Sequence, residues 1–243
     1  MPEQLWFTAF LNHYLAGPVN ALLAAVHVLP KFPEAPITNA VAMEVLVFGF
    51  LLLLFVILRF RLSADRPGGL QHIFEGLHNF TQGQSADVIG PHSERFTPFL
   101  MALTLFILLS NLLGLIPGFE SPTGVAVVPL GCAVLAFLYY HFHGFRKHGI
   151  GYLKQFLGPV WWLAPLMIVV EIFSHLARVL SLTARLYANM FAGDMVTWVW
   201  FSLIPFGIPI VFLGLHTFVA FLQAYIFVLL TMAYLAGAVA VEH

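Results

Sequence analysis

The chain has 243 residues, 60% hydrophobic and 9% charged, with a formal net charge of −1 and a mean hydropathy of +0.92. That hydropathy is far above a soluble domain's and excludes one or two soluble domains as an account of this length. It points to an all-α polytopic membrane protein, organised as one membrane domain over 1–243. The near-zero net charge says little about partners, and nucleic acid is not expected among them. The single Cys132 lies in an apolar run, which excludes a disulfide framework and a cysteine metal site.

Residues 1–36 contain LWFTAFLNHYLAGPVNALLAAVHVL and a link punctuated by Pro30, Pro33 and Pro36. No basic start and no small-residue cleavage site marks a signal peptide. Trp6, Phe7, Phe10 and Tyr14 suit an interfacial helix, and His13, Asn20 and His27 weigh against a full span. The first span is expected at 40–58. Arg59, Arg61 and Arg66 after it mark a cytoplasmic flank. Within 67–90, Leu70, Ile73, Phe74, Leu77 and Phe80 recur at helical spacing, with His72, Glu75 and His78 between them. This predicts an amphipathic surface helix, its polar residues a solvated face rather than metal ligands.

The second span, 96–116, carries Asn111, whose expected role is a helix–helix hydrogen bond. Pro117 and Gly118 end it, and FESPTG makes a short turn. The third span is expected at 125–142. His141, His143 and His148 are read as surface residues, beside Arg146, Lys147 and Lys154 on the cytoplasmic side. Trp161 and Trp162 form an aromatic belt at a new starting point. As one helix, 161–203 is roughly 64 Å long, against a hydrocarbon core of about 30 Å. Two short spans or one strongly tilted helix both fit. PFGIP, from Pro205 to Pro209, breaks the run, and a last long helix covers 208–241. Its His216 and Gln223 are seven apart and share a face. Of ten Lys and Arg residues, seven lie in the loops after the first and third spans, which puts the N-terminus outside and the C-terminus in the cytoplasm.

The chemistry concentrates in Glu171–Asp194, EIFSHLARVLSLTARLYANMFAGD. An ionised group in hydrocarbon costs about 2.5–3.5 kcal/mol on insertion scales, so such residues are read as functional. Arg185 stays protonated and acts as a fixed charge. Its helical neighbours Ser181, Leu182, Ala188 and Asn189 are not acidic. Asp194 and Glu171 lie about 13 Å and 21 Å along the axis. The counter-charge must therefore come from another helix or another chain, and an ion pair with Glu44 is the plainer alternative. For Arg178 the plain readings are a lipid phosphate or a pair with Glu171. The topology puts Glu171, Ser174 and His175 nearer the cytoplasm, Arg185 at mid-depth, Asp194 and His216 nearer the outside, and Gln223 near Arg185. Titratable groups on both sides of a fixed charge suit two offset aqueous half-paths. An unbroken relay would leak protons, each releasing about 2.3 kcal/mol per 100 mV.

SNLLGLIPG, SHLARVLSLTARLYANMFAGD and FLQAYIFVLLTMAYLAGAVA resemble subunit a of the F-type ATP synthases, in order and over nearly the whole chain. The resemblance implies that Arg185 is the essential arginine facing a ring of c subunits, whose carboxylate supplies the missing counter-charge. It implies that Asn189 and Gln223 are polar neighbours of that arginine. Asp194 and His216 would form the outer proton path, and Glu171, Ser174 and His175 the inner one. It also implies two long helices strongly tilted along the ring, peripheral-stalk b subunits, the remaining synthase subunits and membrane lipid as partners, and a bacterial inner membrane as the setting. No cofactor and no metal is implied, nor a catalytic centre on this chain. Two positions depart from the family pattern: Ala188 where Gly is usual, and Asp194 where Glu is frequent. The alternative is a self-contained secondary transporter with Arg185 binding an anion, which predicts repeats with paired broken helices. No convincing repeat relates the halves. No GxxxxGK[ST] loop is present, so ATP chemistry would lie on partner chains. Glu171-x-x-x-His175 is a weak pair for an intramembrane metalloenzyme, and HExxH is absent.

Overall fold

A computed structural model describes residues 4–27, 30, 32–63, 67–116, 118–152, 163–204 and 207–240. Lys31, Arg66, Pro117, Lys154, Trp161, Trp162 and Pro205 lie outside the described residues, and with them the aromatic belt and part of the basic flanks. Among the described residues the elements are helical: α1 (Trp6–Ala25), α2 (Asn39–Arg61), α3 (Gly69–Ile89), α4 (Thr97–Leu113), α5 (Val127–His148), α6 (Ala164–Leu203) and α7 (Ile208–Val239). Short 3₁₀ turns occupy Ser93–Phe96, Pro122–Gly124 and Gly149–Gly151. Five helices are long and apolar enough to cross a membrane: α2, α4 with its preceding turn, α5, α6 and α7. The all-α polytopic reading therefore holds.

Local signals set the ends. Thr38 Oγ1 accepts from the Val41 N–H at 3.4 Å and caps α2. Arg59 and Arg61 in its last turn offset the helix dipole, as Arg146, Lys147 and His148 do for α5. α6 is one unbroken helix of 40 residues, about 60 Å long. The two-span alternative is removed. α7, with 32 residues, opens after Gly207 at φ 83°.

α7 is the core helix. Ala220, Ala224, Phe227, Val228, Met232 and Leu235 are buried in a cluster with Phe96, Leu100, Leu103 and Ile107 of the α4 region and Cys132 and Ala133 of α5. α6 joins through a single narrow stripe, His175, Leu182, Leu186 and Met190, and its other faces are largely exposed. The two long helices run antiparallel in constant register. Trp200 stacks on Phe212 with centroids 5.2 Å apart. Asp194 meets His216, Asn189 meets Gln223, and Arg178 meets Tyr234. Each step along α6 is thus matched by an equal step back along α7, over about 33 Å of axis.

One expectation is corrected, that for His141 and His143, and α3 shows which of its faces meets protein. The buried face of α3 is Gln71, Phe74, Thr81 and Ser85, while Leu70, Ile73 and Phe80 of the predicted stripe are exposed. In a membrane, polar side chains gain most by turning to protein, and apolar ones lose little by facing lipid. His141 and His143 are half-buried rather than surface residues. α5 continues past 142 through them, packing His141 against Phe137 and Tyr152 and His143 against Phe96 and Tyr139.

Candidate functional site

The polar residues of α6 fall into two clusters separated by an apolar seam. In the outer cluster, Asp194 Oδ1 lies 3.8 Å from His216 Nδ1. That is too long for a direct hydrogen bond and close enough for electrostatic attraction when the imidazole is protonated. His216 reaches this place because residue 193 is glycine. A Cβ there would stand 2.7 Å from both Cδ2 and Nε2 of the imidazole. On its other side, Asp194 Oδ2 approaches the Pro122–Gly124 turn, 3.3 Å from where a Gly124 Cβ would lie. His216 Nε2 is buried with no hydrogen-bond partner among the described residues.

A buried hydrogen-bond network fixes this turn. Asn111 Nδ2 donates to the Ala220 carbonyl of α7 at 3.1 Å, which is the helix–helix role expected for it. Thr123 Oγ1 donates to Asn111 Oδ1 at 2.6 Å, and Ser121 Oγ donates to the Ser110 carbonyl at 3.1 Å. FESPTG is therefore more than a turn. It is a polar plug tied to α4 and, through Asn111, to α7 midway between His216 and Gln223.

One turn C-terminal to Arg185, Asn189 Nδ2 donates to Gln223 Oε1 at 2.7 Å. Arg185 itself is half-buried and has no ion pair or hydrogen bond among the described residues. Glu44 does not reach it, so the intrachain ion-pair alternative fails. Beside Arg185, Ala177, Ser181, Ala184 and Ala188 form an exposed face of small side chains. Between the clusters, Leu182, Leu186 and Met190 are buried against the α7 core. The Asn189–Gln223 pair crosses the same interface between Leu186 and Met190.

The inner cluster surrounds a cavity of about 130 Å³ lined by Tyr140, Tyr152, Glu171, His175, Arg178 and Tyr234. His175 Nε2 is 3.2 Å from Glu171 Oε1, and its Nδ1 is 3.0 Å from the Tyr140 hydroxyl. With Tyr140 as donor to Nδ1, Nε2 carries the proton that faces Glu171. Arg178 lies over the Tyr234 ring at 5.3 Å and also interacts with the Tyr140 hydroxyl. The Tyr152 hydroxyl is 3.0 Å from His141 Nδ1. Burial pushes the Tyr152 phenol above its ordinary range, so it stays protonated and donates.

Of the residues singled out from sequence, Asp194 meets His216, Asn189 meets Gln223, and Glu171 meets His175. Ser174 is half-buried and does not line the inner cavity. Sequence reasoning missed Tyr140, Tyr152 and Tyr234, which read as ordinary aromatics at span ends. It also missed Glu120, whose Oε1 accepts from Asn39 Nδ2 at 3.2 Å. The acidic residue inside FESPTG was the one available signal. Among the described residues no three His, Cys, Asp or Glu gather as metal ligands.

Residues 41–236 match the family model described as ATP synthase A chain. The chain is 58% identical to "ATP synthase subunit a" of Koribacter versatilis, over 100% of both chains. It is 52% identical to "ATP synthase subunit a" of Solibacter usitatus, over 96% of this chain and 99% of the relative. It is 44% identical to "ATP synthase subunit a 2" of Syntrophotalea carbinolica, over 73% and 76%.

Proposed function

This chain belongs to the ATP synthase subunit a family, and on that premise we propose that it is the stator through which protons reach and leave a rotating ring of c subunits. Its coarse role follows from the family: a membrane subunit of the proton-translocating sector, working with the other synthase subunits and not a catalyst by itself. In the finer reading, protons enter from outside through Asp194 and His216. They load a ring carboxylate near Asn189 and Gln223 and travel round with the ring. As a loaded carboxylate nears Arg185, the cation lowers its proton affinity, an effect of about 1–3 pKa units for an adjacent opposite charge. The proton leaves through the cavity at His175 and Glu171. The face of Ala177, Ser181, Ala184 and Ala188 lets a ring helix pass close to Arg185. The same reading makes the b subunits of the peripheral stalk and lipid further partners. It sets the chain in a bacterial inner membrane, N-terminus outside, C-terminus cytoplasmic, with α6 and α7 strongly tilted.

One observation carries the reading. Arg185 lacks a counter-charge among the described residues and stands between two polar clusters, with Leu182, Leu186 and Met190 packed on α7 along the way. An unpaired intramembrane cation is costly, so a partner chain supplies its anion. Continuous α6 and α7 also speak against the paired broken helices of a secondary transporter.

The test uses inverted vesicles with the assembled complex, Arg185→Ala against wild type. ATP-driven pumping and passive leak are recorded together. Lost pumping with leak retained or increased is expected. Normal pumping would sink the reading.

A further inference from the structure

Exposure falls stepwise along the outer cluster. Glu120 is exposed, the Asp194 side chain is 29% exposed and that of His216 only 3%. The chain of contacts holding Glu120 starts on α1. The Leu5 N–H donates to Asn39 Oδ1 at 3.3 Å, and Asn39 Nδ2 donates to Glu120 Oε1 at 3.2 Å. Trp6 packs edge-on against Phe119, centroids 6.3 Å apart. α1 is itself clamped to the residues before α2: Asn12 Oδ1 accepts from the Ile37 N–H at 3.0 Å, and Asn12 Nδ2 donates to the Ile37 carbonyl at 3.1 Å. The segment so anchored carries Glu120 and, four residues on, the Gly124 turn against Asp194.

We propose that Glu120 is the acid that collects protons from outside water for Asp194 and His216, and that Asn39, backed by α1, is its positioning residue. The proposal rests on the outer-path reading of those two residues. The step is a simple proton transfer. The Glu120 carboxylate takes a proton from outside water and hands it inward, by way of intervening water, to the Asp194 carboxylate. The buried, unpartnered Nε2 of His216 marks the inner end as a place built for an exchanging proton or water. The titratable groups on this path are Asp194 of α6 and His216 of α7, and among the described residues no cation pairs with Glu120. An exposed, unneutralised carboxylate beside less exposed acceptors raises the local proton supply.

The test uses proteoliposomes containing the whole complex, making ATP from an imposed proton gradient, with the pH of the acidic side varied. Glu120→Gln keeps the acceptor for Asn39 and removes the exchanging proton. It is expected to slow synthesis about threefold to tenfold at an outer pH of about 8 and to rejoin wild type near about 5.5, where supply no longer limits. Glu120→Asp keeps the acid and the wild-type profile shape. Asn39→Ala shifts the profile in the same direction by less, and adds nothing to Glu120→Gln. A Glu120→Gln profile parallel to wild type, at the same or a uniformly lower level, overturns the proposal. Asp194→Asn in the same vesicles separates the two levels. If it stops synthesis while Glu120→Gln runs parallel, only the role of Glu120 falls. If it too changes nothing, the outer-path reading falls with it.

Discussion

Asn189 and Gln223 are joined amide to amide at 2.7 Å across the α6–α7 seam, one turn from Arg185. The bond leaves Gln223 Nε2 buried and without a partner among the described residues. An orphaned amide in hydrocarbon is expensive, and here it stands beside the arginine that the ring is proposed to pass. Gln223→Leu strips Asn189 of its acceptor. Asn189→Leu strips Gln223 of its donor. Each single change is expected to lower ATP-driven pumping severalfold. Thermal dissociation of the membrane sector in a double-mutant cycle is expected to give a coupling of about 0.6–1.7 kcal/mol, the range of interhelical bonds in membranes. A coupling indistinguishable from zero would remove this bond from the account of how α6 is held.

Gly193 and Gly124 make a graded pair. A Cβ at 193 would lie 2.7 Å from the buried His216 ring, which cannot retreat. At 124 it would lie 3.3 Å from the tip of Asp194, which is part-exposed and can swing. Gly193→Ala is therefore expected to impair pumping about as severely as His216→Ala, with overpacking of about 1–3 kcal/mol, and Gly124→Ala only mildly. Pumping rates in one vesicle preparation decide it. Equal effects of the two substitutions would mean that close packing of His216 on α6 is not what they disturb.

What the sequence shows and hides follows from lipid as solvent. Apolar runs declare the spans, because 40 residues around Arg185 contain few polar groups and each is conspicuous. The pairings Asp194–His216 and Asn189–Gln223 are legible from depth, because His216 and Gln223 share a face of α7 and the topology sets them level with Asp194 and with the Arg185 region. The continuity of α6 is not legible, since its polar stretch reads equally as a break. The stripe Leu70, Ile73 and Phe80 of α3 is exposed, since lipid serves those side chains as well as protein does. Tyr140, Tyr152 and Tyr234 are hidden because an aromatic at a span end is commonplace. Only the fold converges them on His175, His141 and Arg178.

Asn111 is the keystone of the buried network. It gives one bond to the Ala220 carbonyl and takes one from Thr123. Asn111→Leu removes both and leaves the Thr123 hydroxyl dependent on Ser121 alone, at 2.8 Å. The cost is about 1–3 kcal/mol for each buried group left unmet. The turn that supports Asp194 loosens with it. The expected result is reduced incorporation of subunit a into the complex, read as the ratio of this chain to other subunits in purified membranes. Full incorporation with wild-type thermal stability would show the network to be dispensable.

The inner cavity offers a prediction with a sign in pH. Gly144 exists to admit Tyr152, because a Cβ there would stand 2.6 Å from the ring. The phenol is raised by burial, with Glu171 adding to the rise and Arg178 opposing it. The folded chain therefore keeps the phenolic proton at a pH where the unfolded chain has lost it, near and above about 10. Where the unfolded state binds fewer protons than the folded one, stability falls as pH rises. Tyr152 thus contributes its full share below that range and loses it through alkaline pH. Tyr152→Phe keeps the ring against Gly144 and is expected to flatten the alkaline decline in thermal stability of the membrane sector. It also removes the donor to His141 Nδ1. Gly144→Ala expels the whole ring and is expected to lower stability at every pH while slowing passive proton conduction measured from the cytoplasmic side. If Tyr152→Phe leaves the alkaline limb as steep as in wild type, the buried phenol is not the group that sets it.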